Sequence, residues 1–108
     1  MISELLKQRM RNGVIVHCET REQYEQLLRI AEEAINGFDI ASCISYDKRR
    51  GYRFNRRNSC AYHAFWEWYT DGDGAQEYTN CPRLTFDELL EQYSYAKFPV
   101  LEDILELL

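Results

Sequence analysis

The sequence predicts an α+β (or α/β) domain: a small mixed β-sheet of three to five strands with helices packed on it. Three observations carry this. A β-branched apolar run, "VIVHC" at Val14 to Cys18, is bounded by turn and capping residues and reads as a strand covered on both faces. Two capping boxes, Thr20 to Gln23 and Thr85 to Glu88, each open a stretch with helical apolar spacing. Between them lies an aromatic run, "SCAYHAFWEWY", rich in residues that favour strands.

Taken in order, Ile2, Leu5, Leu6 and Met10 fall at helical spacing, so residues 2–11 read as a short amphipathic helix ended by Asn12-Gly13. The strand at Val14 follows. After it, Thr20 can accept a hydrogen bond from the Gln23 amide while Gln23 reaches back. The helix opened there sets Tyr24, Leu27, Leu28, Ala31 and Ile35 on one stripe and closes at Asn36-Gly37. Residues 20–36 should pack on one face of the sheet. Phe38 to Tyr46 reads as a strand or an extended loop. The next segment contains Gly51 and reads as a turn or exposed loop between strands.

Ser59 to Tyr69 reads as one strand, with Cys60, Tyr62, Ala64 and Trp66 facing one way and Ala61, His63, Phe65 and Glu67 the other. "TDGDG" supplies a turn. Cys81 to Phe86 is another strand, and Pro82 near its start suits a sheet edge. The second capping box launches "DELLEQY". Pro99 then opens a final amphipathic helix, with Leu101, Ile104, Leu105 and Leu108 on one side. That stripe should dock on its own domain or on a second copy, which favours a homo-oligomer.

A chain of 108 residues with 45% apolar content suits one domain spanning 1–108. There is no internal repeat and no dividing linker. No apolar run approaches the roughly 18–20 residues that span a bilayer, and "MISELLKQRMRNG" lacks a signal peptide's apolar stretch. The reading is therefore cytoplasmic, with no membrane partner.

Cys18, Cys43, Cys60 and Cys81 contain no close pair of the kind that announces a zinc site, so they read as reduced, metal-free thiols. "DGDGAQE" offers Asp71, Asp73 and Glu77 as oxygen ligands, but its spacing fails the EF-hand pattern and suits turn chemistry. A thiol nucleophile needs a nearby base and an orienting third group, but Cys18 beside His17 falls in a strand that reads as buried, where thiols are inert, and His63 near Cys60 reads as a packed, hydrogen-bonded residue. No catalytic residue, metal or cofactor is assigned, and the chain reads as non-enzymatic.

Charge is unevenly spread. The net charge is −5, yet residues 48–57 carry +6 with no acid, leaving −11 elsewhere. Within "DKRRGYRFNRRN", Lys48, Arg49, Arg50, Arg53, Arg56 and Arg57 surround Tyr52 and Phe54. Guanidinium groups grip phosphates and carboxylates bidentately, and aromatic rings stack on bases. The segment is thus the candidate surface for an anionic nucleotide ligand, a nucleic acid or an acidic protein face. The alternative is a solvated hairpin tip that offsets an acidic body. Trp66, Trp68 and Tyr69, in "AFWEWY", form a second candidate interface, or else fill the core.

"GVIVHCETREQYEQLLRIAEE" resembles the opening of a set of small prophage accessory proteins, mostly from Gram-positive bacteria. Their shared features fall here on Val16-Cys18-Thr20, the strand from Tyr62 to Trp66, and Phe86-Asp87-Glu88-Leu89. The resemblance covers most of the chain and is tightest over the first strand and helix. Residues 38–58 and 95–108 depart from it. It implies a mobile-element protein, some of whose kind act against bacterial defence systems in the manner of anti-CRISPR proteins, and it carries over no catalytic residue. The expectation is a phage-derived binding protein that inhibits or sequesters a host defence component through the basic-aromatic segment. A nucleic-acid-binding regulator is the alternative, and a small enzyme comes third.

Overall fold

The computed structural model describes residues 2–93. The first helix, α1 (Glu4–Asn12), is capped by Ser3, whose hydroxyl accepts from the Leu6 amide at 3.1 Å. It stops at Gly13, whose φ of +108° lies where glycine is favoured. Strand β1 (Val14–His17) follows, and then α2 (Arg21–Ala34). Thr20 accepts from the Gln23 amide at 3.2 Å as expected. The Gln23 side chain, however, reaches back one residue further, accepting from the Glu19 amide at 2.8 Å. Tyr24, Leu27, Leu28, Ala31 and Ile35 are all buried. Val14 and Val16 belong to the same core cluster, while Ile15 is fully buried on the other face. This central strand is covered on both sides.

Phe38 to Tyr46 takes the loop alternative, with one 3-10 turn at Ile40–Ser42 capped by Asp39. The basic segment is not a loop. Its centre is β2 (Arg50–Phe54), which pairs antiparallel with β1 on one side and β3 (Tyr62–Phe65) on the other. Tyr52 and Phe54 are fully buried and point into the core, while Gly51 and Arg53 face the opposite side. The burial of two alternate aromatics outweighs the charge around them.

The aromatic run also divides. After β3 the backbone turns helical at α3 (Trp66–Thr70), and a second short helix, α4 (Asp73–Glu77), packs against it. This lays Trp66 and Tyr69 over Gly51, where an added Cβ would meet the Trp66 ring at 2.7 Å. The predicted "TDGDG" turn survives only around Asp71-Gly72, since Asp73 and Gly74 open α4. Gly74 lies against Trp68, whose carbonyl oxygen would be 2.8 Å from an added Cβ.

Strand β4 (Arg83–Thr85) pairs parallel with β1, giving a mixed four-stranded sheet in the order β3-β2-β1-β4. Pro82 precedes this edge strand, as expected. Helix α5 (Phe86–Tyr93) starts at a reciprocal capping box: the Glu88 amide donates to Thr85 at 3.1 Å and the Thr85 amide to Glu88 at 2.8 Å. Helices α1, α2 and α5 cover one face, and α3 with α4 cover the other. The architecture is α+β. The amphipathic helix predicted for residues 100–108 lies outside the described residues. Among those described, no helix is long and apolar enough to cross a membrane.

Candidate functional site

Packing α3 and α4 on one face creates a groove of about 700 Å³ along β3, lined by Arg50, Arg53, Tyr62, Phe65, Trp68 and Tyr78 among others. Arg53 is its centre. Its guanidinium lies 4.9 Å from the centroid of the Tyr62 ring and 4.4 Å from that of Tyr78. Such contacts contribute about 0.5–2 kcal/mol each, more when desolvated. Among the described residues no carboxylate lies within ion-pair distance of Arg53, and its buried Nε has no hydrogen-bond partner. Tyr78 is held by edge-to-face contacts with Trp68 and Tyr69, at 6.3 and 6.0 Å. Burial raises the Tyr69 hydroxyl pKa, and the Arg53 charge offsets part of the rise.

On the other face of β3, the Arg50 guanidinium lies 4.8 Å from the Phe65 ring centroid and donates to Nδ1 of His63 at 3.0 Å. That bond needs an unprotonated Nδ1. Burial, and then the Arg50 charge, lowers the His63 pKa below its ordinary 6.5. A lowered histidine pKa means that the unfolded chain binds the proton more readily. Its contribution to stability is therefore present above pH 6.5 and is lost as pH falls through the lowered value. An NMR titration should find His63 titrating below 6.5. Arg50→Gln should move it upward without restoring it fully, because burial is the larger cause. A His63 titration that does not move in Arg50→Gln would mean that the Arg50 contact does not form.

The rest of the basic run is dispersed. Lys48 is exposed, with its ammonium 3.7 Å from Glu19. Arg49 donates to both Asp47 oxygens, at 3.1 and 2.9 Å, and this contact holds the Asp47 pKa down to about 2. Arg50 also lies 3.6 Å from Asp47. Arg56 donates to Asn12 at 2.9 Å, and with Arg57 and Arg11 it lines a separate shallow cleft. Tyr52 and Phe54 are core residues and cannot stack on a ligand: Tyr52 packs on Tyr24 at 4.4 Å, and its hydroxyl accepts from the Asp47 amide at 2.9 Å. Of the second candidate interface, Trp66 covers Gly51 and the His17 ring, while Trp68 and the largely buried Tyr69 line the groove.

Of Tyr62, His63, Phe65 and Tyr78, only Phe65 is marked by the sequence, as part of the candidate interface run "AFWEWY". The first three sit in the aromatic run, and the unguarded character of an edge strand could have marked all three. Tyr78 stands in "AQEYTN" with no periodic signal. Only the fold of α4 brings it to Arg53.

The cysteines are free thiols. Burial pushes Cys18 to about 12, so it stays protonated. His17 donates from Nε2 to the Lys48 carbonyl at 2.7 Å, tying β1 to the start of the basic segment. Among the described residues no group of three His, Cys, Asp or Glu side chains is placed to hold a metal. Comparison with known proteins finds no matching family model, no matching curated protein and no matching solved structure.

Proposed function

We propose that this chain is a non-enzymatic binding protein whose Arg53 groove engages an anionic partner. The resemblance to prophage accessory proteins extends the proposal: the partner is a component of host defence, a protein or a nucleotide signal, which the chain inhibits or sequesters. One observation carries the binding reading. The Arg53 guanidinium lies over two tyrosine rings in an open groove, and among the described residues no carboxylate lies within ion-pair distance of it. A guanidinium so preorganised loses little further freedom on binding an anion.

A nucleic-acid-binding regulator is the second reading. It is favoured by Tyr62 and Phe65, exposed aromatic residues (47% and 48%) beside the arginines, a combination that suits base stacking. Titration with ATP, an oligothymidylate and a glutamate-rich peptide separates the two. The leading reading expects binding of ATP or the peptide with a shallow salt dependence, because one or two charges are engaged. Oligothymidylate binding that weakens steeply with salt would establish the regulator instead. If none of the three binds at millimolar concentration, the groove is not an anion site.

A further inference from the structure

Among the described residues the groove follows the unpaired edge of a strand, and that edge is a template for another backbone. Strand β3 is the outermost strand of the sheet. Its residues alternate between faces, yet Tyr62, His63, Ala64 and Phe65 all line the same groove. A groove reached from both faces of an edge strand runs along its open side.

The ladder shows which backbone groups are available there. The Trp66 amide donates to the Arg49 carbonyl at 2.9 Å. With Arg50 opposite Phe65 and Gly51 opposite Ala64, hydrogen-bonded pairs then fall at Gly51–Ala64 and Arg53–Tyr62. The amides and carbonyls of His63, and the amide of Phe65, point away from β2. Among the described residues no turn or loop hydrogen bond reaches them.

Edge strands are ordinarily protected by charge, proline, a bulge or a cover. The other edge, β4, has Pro82 before it and Arg83 within it. Strand β3, Tyr-His-Ala-Phe, has no lysine, acid or proline and keeps two exposed aromatic rings.

We infer that β3 accepts an extended acidic polypeptide segment as a fifth strand, with carboxylates three residues apart. The inference deepens the binding reading above and rests on it. The spacing follows from the pleat. Arg53 lies over Tyr62 on the α3 face, while Arg49 and Arg50 lie over Phe65 on the opposite face. A strand added beside β3 places the residue next to Tyr62 on the Arg53 side and the residue next to Phe65 on the Arg50 side. Those positions are three apart and face opposite ways, as the two arginine positions do. A polypeptide suits the edge better than a nucleotide because its own amides and carbonyls pair with those of His63 and Phe65. A second copy of β3 suits it worse, since it would bring a second set of arginines to the same place.

The probe is a hexapeptide library with two Glu three apart and the other positions randomised. Matched libraries carry the two Glu two apart, or proline between them. In the free protein the amides of His63 and Phe65 should exchange with solvent faster than those of Tyr62 and Ala64. Peptides selected from the first library should bind and slow exchange at His63 and Phe65 specifically. Arg50→Gln and Arg53→Gln should each weaken binding about tenfold or more. The two control libraries should yield weaker binders. Arg53-dependent peptide binding that leaves the His63 and Phe65 amides unprotected overturns strand addition while the groove reading stands. So does binding of oligothymidylate or ATP with no enrichment from the first library. If no ligand's affinity depends on Arg53, the inference and the groove reading fall together.

Discussion

Replacing Tyr52 with Ala is expected to destabilise the fold by about 3–5 kcal/mol, the range for deleting a fully buried aromatic ring. Tyr52 has no exposed surface, packs on the Tyr24 ring at 4.4 Å and binds the Asp47 amide through its hydroxyl. For a domain of ordinary stability, about 5–15 kcal/mol, that is a large share of the total. Tyr52→Phe, which keeps the ring, should cost only about 1 kcal/mol for the lost hydrogen bond. Urea unfolding of the two variants separates these losses. If Tyr52→Ala unfolds at the parent's midpoint, Tyr52 is not a core residue and the basic segment is the exposed loop that its charge suggested.

Arg83→Met should produce the second large loss, about 3 kcal/mol. The Arg83 guanidinium donates to five backbone carbonyls: Tyr69 at 2.9 Å, Tyr78 at 2.7 Å, Cys81 at 2.5 Å, Gly74 at 2.9 Å and Ala75 at 3.1 Å. It thereby gathers the ends of α3 and α4 onto the sheet. Bonds to a charged donor contribute roughly 1.5–3 kcal/mol each, and bonds sharing one group do not add. The same change should weaken binding in the groove, because Tyr78 loses its placement over Arg53. Thermal melts and titration of this variant should move together. A variant with normal stability but lost binding would place Arg83 in the binding surface instead.

The parts of the fold legible in the sequence are those where local signals agree. Val14 to Ile35 combines a contiguous apolar run, a capping threonine and a helical stripe, and each points to the same element. The reciprocal box at Thr85 and Glu88 was equally plain. The basic segment misled because its charge stood out while its period did not. Read by alternate positions, Tyr52 and Phe54 form an inward face, and Gly51 and Arg53 an outward one, as a strand requires. The aromatic run misled in the other direction. Its strand propensity continues past Phe65, but the chain turns helical so that Trp66 and Tyr69 can cover Gly51, a long-range contact that no local window contains. The site suffered from both errors. Arg50 and Arg53 were identified, but their aromatic partners came from β3 and α4, and the remaining bases are tied to Asp47, Glu19 and Asn12 or lie at the far end of β2.

Under the proposed function, one arginine in a groove, rather than the basic run as a whole, holds the partner. Isothermal titration of Arg53→Gln and Arg57→Gln against whichever of ATP, oligothymidylate or the glutamate-rich peptide binds most tightly tests this directly. Each variant removes one positive charge from the same run. The prediction is that Arg53→Gln weakens binding about tenfold or more, the equivalent of one lost charge-assisted contact, while Arg57→Gln stays within about twofold. Equal losses in the two variants would contradict it, because the run would then be acting as a diffuse basic patch and not through the groove.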